Sequence, residues 1–192
     1  MRVREALLAI LAQGPCYGYQ LRTEYARRTG GTRLLNVGQV YHTLERLERD
    51  GLVDRDDPDE LGHVFWALTD LGADAARAGL LAPSDPADRS ALPVKIALAA
   101  SLPGVDLDEI VDAERTAVAE RIAGLRADLA AEPADAALAT VAGGLLAGAE
   151  ADAHWLDETA RLLGAVPPHL RAVPLSDERP RRGRPPRADA AA

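Results

Sequence analysis

The 192-residue chain contains one cysteine, Cys16, and only four histidines, which are scattered. A single thiol cannot form an internal disulfide, and the histidines show no zinc-ligand spacing, so neither a disulfide scaffold nor a metal or redox centre is expected. Long apolar runs are missing as well. The longest, such as 97–102 and 141–147, are bounded or broken by proline or glycine and fall well short of the ~20 apolar residues of a membrane-spanning helix. The opening MRVREALLAILAQG has Glu5 inside its basic stretch and keeps a helical apolar period, so it does not read as a signal peptide, and the expected location is cytoplasmic. There is no Gly-x-Ser-x-Gly elbow, no phosphate-binding loop and no clustered His/Cys set. The many carboxylates lie among counter-charges or at exposed positions, so neither an enzyme nor a cofactor is expected.

What the chain does contain is 47% hydrophobic residues, enough for a sizeable core. Its net charge of −8 is unevenly spread. Residues 1–55 carry nine Arg against six acidic residues, 56–175 eight basic against twenty-one acidic, and 176–192 five against three, giving local balances of +3, −13 and +2. Basic ends around an acidic middle suit a chain whose ends approach a polyanion.

Apolar positions Val3, Leu7, Leu8, Ile10 and Leu11 predict a first helix that stops at Gly14-Pro15. A second helix is predicted over about 17–28, ending at Gly30-Gly31. In VGQVYHTLERLERDGLV, Val40, Leu44 and Leu47 recur at helical spacing before Gly51, giving a third. Residues 52–55 and 64–68, separated by acidic turn chemistry, predict a β-hairpin, and Thr69-Asp70 caps a fourth helix. After a polar, proline-containing stretch, three further helices are expected near 92–101, 107–131 and 134–163. The fold class is therefore mainly α: a winged helix-turn-helix of three helices and a hairpin, then an all-helical region. The expected divisions are 1–80 for the winged module, 81–90 for a linker, 91–172 for a helical dimerisation domain and 173–192 for a disordered basic tail.

Three runs, ALLAILAQGPCYGYQLRTEYARRTGG, NVGQVYHTLERLERDGLV and FWALTDLG, together resemble PadR-type transcriptional regulators over most of residues 5–78. The resemblance implies a winged helix that reads operator DNA, helices that pair two subunits, and, as is common in the family, control by a small-molecule effector or a stress signal. The expected function is that of a dimeric repressor on an inverted-repeat operator, with a winged-helix protein-interaction adaptor as the alternative. With Val40, Leu44 and Leu47 facing the core, a 100° advance per residue puts Gln39, His42, Glu45, Arg46 and Arg49 outward and Tyr41 on the flank. Gln reads adenine and Arg guanine bidentately, whereas a flanking Tyr hydroxyl suits a phosphate oxygen. Arg22 is a candidate phosphate contact, and Asn36 a cap or phosphate contact. A plain solvated face with a Glu45–Arg49 pair is the competing reading.

The wing departs from the family: Asp56, Asp57, Asp59 and Glu60 occupy the turn, leaving Arg55 and His63 as its donors. PRRGRPPR at 180–187 resembles an AT-hook, in which Arg182 and Arg184 enter a narrow A·T minor groove. Gly144 and Gly148 with Leu145, Leu146 and Leu156 permit close helix approach within or between subunits. His154 and Trp155 are candidate walls of an effector cavity.

Overall fold

A computed structural model describes residues 1–32, 34–130 and 135–176. The elements in order are α1 (Val3–Leu11), β1 (Cys16–Tyr17), α2 (Gly18–Arg28), α3 (Val37–Arg49), β2 (Val53–Arg55), β3 (Phe65–Leu68), α4 (Asp70–Leu81), α5 (Ala91–Ser101), α6 (Leu107–Ala130), α7 (Ala136–Gly164) and α8 (Pro168–Arg171). The architecture is mainly helical: a winged helix-turn-helix followed by a helical region. Among the described residues no helix is long and apolar enough to cross a membrane.

Local chemistry sets the boundaries. Glu5 reaches back to the Arg2 N–H at 2.8 Å and satisfies a free donor at the start of α1. Asn36 accepts from Gly38 N at 2.8 Å and starts α3. That helix ends where Gly51 takes φ +71° and Leu52 N bonds back to Leu47 O at 2.9 Å. Thr69 caps α4 through Gly72 N at 3.0 Å while its hydroxyl donates to Gly51 O at 2.8 Å. The fourth helix is thereby tied to the start of β2. Gly72 is obligatory there, because a Cβ would stand 1.9 Å from the Leu52 carbonyl oxygen.

The sheet is three-stranded and antiparallel, ordered β1-β3-β2, with Cys16 opposite Trp66, Tyr17 opposite Phe65, and Val53 opposite Leu68. The predicted hairpin is β2 and β3. Strand β1 was not foreseen, since two residues show no period.

One apolar cluster runs from α1 through Leu21, Leu44, Leu47 and Trp66 to α5, then to Val118 on α6 and Leu156 on α7. The core therefore does not stop at the 81–90 segment, and α5 packs into it with Ile96 and Leu98 buried. The segment itself is anchored: Ser84 donates through N and Oγ to Glu114, and Lys95 Nζ bonds Glu114 at 2.7 Å and Ala82 O at 2.8 Å. Helices α6 and α7 pair lengthwise, with Arg115–Asp157, Arg121–Asp152 and Arg126–Glu150 bridging them. The buried positions of α7, Ala142, Ala149 and Leu156, recur every seven residues, as a lengthwise helix seam requires.

The tail expected from 173 does not start there. Residues 173–176 are hydrogen-bonded to α2 and to the end of α5. Backbone bonds and a buried carboxylate hold this stretch, which composition does not register. Arg182 and Arg184 lie outside the described residues.

Candidate nucleic-acid interface

Helix α3 presents two chemically distinct faces. Val40, Leu44 and Leu47 are completely buried, which fixes the helix's rotation and leaves Gln39, His42, Glu45, Arg46 and Arg49 exposed. Arg46 has no ion-pair partner among the described residues, and the Gln39 side chain is likewise unengaged there; only its backbone carbonyl receives the Thr43 hydroxyl, at 2.7 Å. His42 Nδ1 stands 3.9 Å from Glu45. The Glu45–Arg49 pair does not form. Arg49 turns instead to Asp50 at 3.1 Å, and Arg4 of α1 reaches the same carboxylate at 2.7 Å. The Arg4 bond, then that of Arg49, holds the Asp50 carboxyl below its ordinary range.

Tyr41 is half exposed on the flank of α3, and its ring lies over the first residue of α2. A Cβ on Gly18 would stand 2.7 Å from Tyr41 Cζ, so the glycine is what lets the ring settle there. Sequence reasoning singled out Tyr41 and missed Gly18, because their proximity arises from the crossing of two helices. Arg22 Nε donates to the Leu35 carbonyl at 2.9 Å and its guanidinium lies 5.7 Å from the Tyr19 ring centroid. Arg22 thus clamps the backbone just before Asn36. Asn36 is a cap, with its side-chain oxygen on Gly38 N.

Both expected donors of the wing are engaged internally. Arg55 pairs with Glu48 of α3 at 3.4 Å and stacks near Trp66. The His63 ring is 3.3 Å from Asp59 and lies against Tyr17, with centroids 4.6 Å apart. Asp59 Oδ1 also accepts from Leu61 N at 2.9 Å and His63 N at 2.8 Å. Those bonds, the His63 amide first, lower its pKa from the ordinary 3.8. The acidic turn is therefore an internally braced loop.

His154 is exposed and Trp155 half-buried against the core. A cavity of about 400 Å³ opens instead between α6, α7 and the 84–89 segment, lined in part by Leu92, Glu114, Arg121, Leu125, Leu145 and Asp152. Neither His154 nor Trp155 lines it. Among the described residues there is no group of three or more His, Cys, Asp and Glu arranged to hold a metal ion.

A capped helix with one buried and one polar face, seated on two others and flanked by an antiparallel hairpin, defines a winged helix-turn-helix. Residues 7–78 match the model of the transcriptional regulator PadR-like family; the winged-helix module of this chain is similar to that of PadR-like transcriptional regulators. The match spans less than half of the chain, and the matched family is one of transcription regulators. No curated protein matches the chain. Among solved structures it is similar to Bacillus subtilis PadR in complex with operator DNA, at 20% identity over 86% of this chain and 99% of that one, with a TM-score of 0.40. It is also similar to the PadR-like transcriptional regulator BC1756 from Bacillus cereus, at 18% identity over 85% and 99%, with a TM-score of 0.36. A transcriptional regulator from Clostridium thermocellum aligns at 21% identity over 40% of this chain and 74% of that one, with a TM-score of 0.38.

Proposed function

We propose that this protein is a sequence-specific DNA-binding repressor that reads an inverted-repeat operator as a homodimer. The observation that carries the reading is the outward face of α3. Gln39, His42, Arg46 and Arg49 line one side of a helix whose other side is buried, inside the segment that matches a transcriptional regulator family. A helix of this shape fits a major groove about 12 Å wide, where Gln39 and Arg46 have the geometry for adenine and guanine edges. Arg49 and the Tyr41 hydroxyl then take phosphates, and Arg22 supports them by holding the entry to α3. With Arg55 and His63 engaged within the protein and the turn acidic, the wing contributes little, and affinity rests on α3.

One such module spans only a few base pairs, so a symmetric pair about 34–36 Å apart supplies operator specificity. The apolar stripe Leu138, Val141 and Leu145 on α7, each more than half exposed, supports pairing through the helical region. The cavity beside α6 and α7 supports control by a small-molecule effector, because a ligand there bears on the same helices.

The test is fluorescence anisotropy over a salt series, with duplexes selected from a randomised pool by the full-length protein and scrambled controls. Preferential binding is expected, with a log–log salt slope of about −0.9 per phosphate neutralised. Arg46→Glu should abolish the preference. A folded dimer that binds no duplex at low salt would overturn the proposal and leave the protein-interaction adaptor as the better account.

A further inference from the structure

The first turn of α3 carries two residues that its polar face does not explain, Val37 and Gly38. Val37 is the first residue of the helix and is exposed. It has company: among the described residues of 1–55, the exposed large hydrophobic side chains are Tyr19, Leu34, Val37 and Tyr41. All four border the junction of α2 and α3. Tyr41 follows Val37 by one turn on the same flank, its ring lies over Gly18 next to Tyr19, and Leu34 precedes the carbonyl that Arg22 holds. Single exposed apolar side chains are ordinary, but a group of them beside one polar helix face marks a contact surface.

Gly38 lies between Val37 and the polar set. An advance of 100° per residue puts it about 30° from the centre of the face opposite Val40, Leu44 and Leu47, with Val37 to one side and Gln39 to the other. Among the described residues a Cβ there would meet only Asn36 Oδ1, at 3.4 Å, and its φ is not positive. Neither packing nor backbone conformation within the chain calls for glycine, and alanine would favour the helix. A bare backbone on the outward face instead suits close approach by something outside the chain. The turn is also firmly set. Asn36 Oδ1 accepts from Gly38 N at 2.8 Å and Arg22 Nε donates to Leu35 O at 2.9 Å, while the β-branched Val37 is stiff at χ1 and has little side-chain entropy to lose.

Resting on the DNA-reading function above, we propose that Val37 is a specificity-determining residue whose apolar surface packs on the 5-methyl group of a thymine in each half-site, with the base edge passing over the bare backbone of Gly38. In the major groove an A·T pair displays that methyl on the thymine and the N6 and N7 groups on the adenine. Val37 and Gln39, on either side of Gly38, suit these two ends. The contact is apolar and releases no counterion, so its contribution does not change with salt, unlike that of the arginines.

The experiment replaces each thymine of the selected operator in turn, at both symmetric positions, by deoxyuridine, which removes the methyl and leaves the base pairing intact. Full-length wild type, V37A and G38V are compared by anisotropy at two salt concentrations. Both positions are exposed, so the variants should fold. In wild type one position should cost about fourfold per half-site, or about 15-fold for the dimer, as expected for one methyl group, and by the same factor at both salts. V37A should bind the thymine operator at least about fourfold more weakly than wild type and lose less than about twofold more on the deoxyuridine operator. G38V should bind the thymine operator at least about fivefold more weakly, because the added side chain holds the helix off the base edge. Full deoxyuridine loss retained by V37A, no thymine whose methyl matters, or wild-type affinity in G38V would overturn the proposal. If wild type selects no duplex at all, the DNA-reading function itself fails and this inference with it.

Discussion

Gly18→Ala is the most informative single perturbation, because its effects on binding and on stability should separate. A methyl at that position would stand 2.7 Å from Tyr41 Cζ and 2.9 Å from Cε1, about 1 Å inside the 3.5–4.0 Å of ordinary carbon contact. The obstacle is the far end of a half-exposed side chain, so the ring swings out rather than forcing the helices apart. Turning it off its rotamer costs about 0.5–1.5 kcal/mol, and replacing glycine in a helix returns about 0.5–1 kcal/mol. Stability by urea denaturation should stay within about 1 kcal/mol of wild type. Binding should not survive unchanged. In the proposed DNA complex a hydrogen bond from the Tyr41 hydroxyl to a phosphate would be worth about 1.5–3 kcal/mol as one made to a charged group, so losing it should weaken each bound module about 10- to 150-fold. Tyr41→Phe should lose a similar amount, and the double variant little more than either alone, because both act through one hydroxyl. Anisotropy on the selected operator supplies all four corners of the cycle. Gly18→Ala binding within twofold of wild type, or strictly additive losses, would refute the placement of Tyr41 at the DNA backbone.

Three other outcomes follow from the structure. Lys95→Met should destabilise the protein by about 3–5 kcal/mol in chemical denaturation, because it strands the buried Glu114 carboxylate; K95M/E114L should recover most of this, and no recovery would show that the pair does more than neutralise itself. The Asp59 pKa is lowered, so its bracing of the wing is present above the ordinary value of 3.8 and is lost as pH falls through the lowered one; amide shifts of Leu61 and His63 should report a midpoint below 3.8, and a midpoint above it would contradict the assignment. Burial, then Glu24, pushes the Cys16 thiol up to about 12, leaving a thiolate fraction of about 10⁻⁴ at pH 8; disulfide reagents should label it only on unfolding, and rapid labelling of the native protein would show that the β1 region opens.

Much of the candidate interface was legible because it is encoded at short range. Val40, Leu44 and Leu47 identify the buried side of α3 and, by subtraction, the outward set Gln39, His42, Arg46 and Arg49, since side-chain direction on a helix depends only on rotation about its axis. Asn36 and Thr69 mark helix starts by the same local logic. What stayed hidden was every feature whose partner is far away in the chain. Glu45 and Arg49 have the spacing of a pair, yet Asp50 and Arg4 take part in a better one. The donors of the wing cannot be judged from their charge alone, because Glu48 and Asp59 engage them.

By itself, then, the sequence determined the order of α1 to α7 and of the β2–β3 hairpin, the face that α3 buries and the type of module they make, because periodicity and capping act over a few residues. Only the tertiary structure decided that Cys16–Tyr17 joins the sheet, that Gly18 and Gly72 must lack side chains, that Lys95 and Glu114 are buried together, and that residues 173–176 return to α2. Each of these depends on which surfaces meet when the chain collapses, and residues as far apart as Glu24 and Ser176 carry no local sign that they will meet.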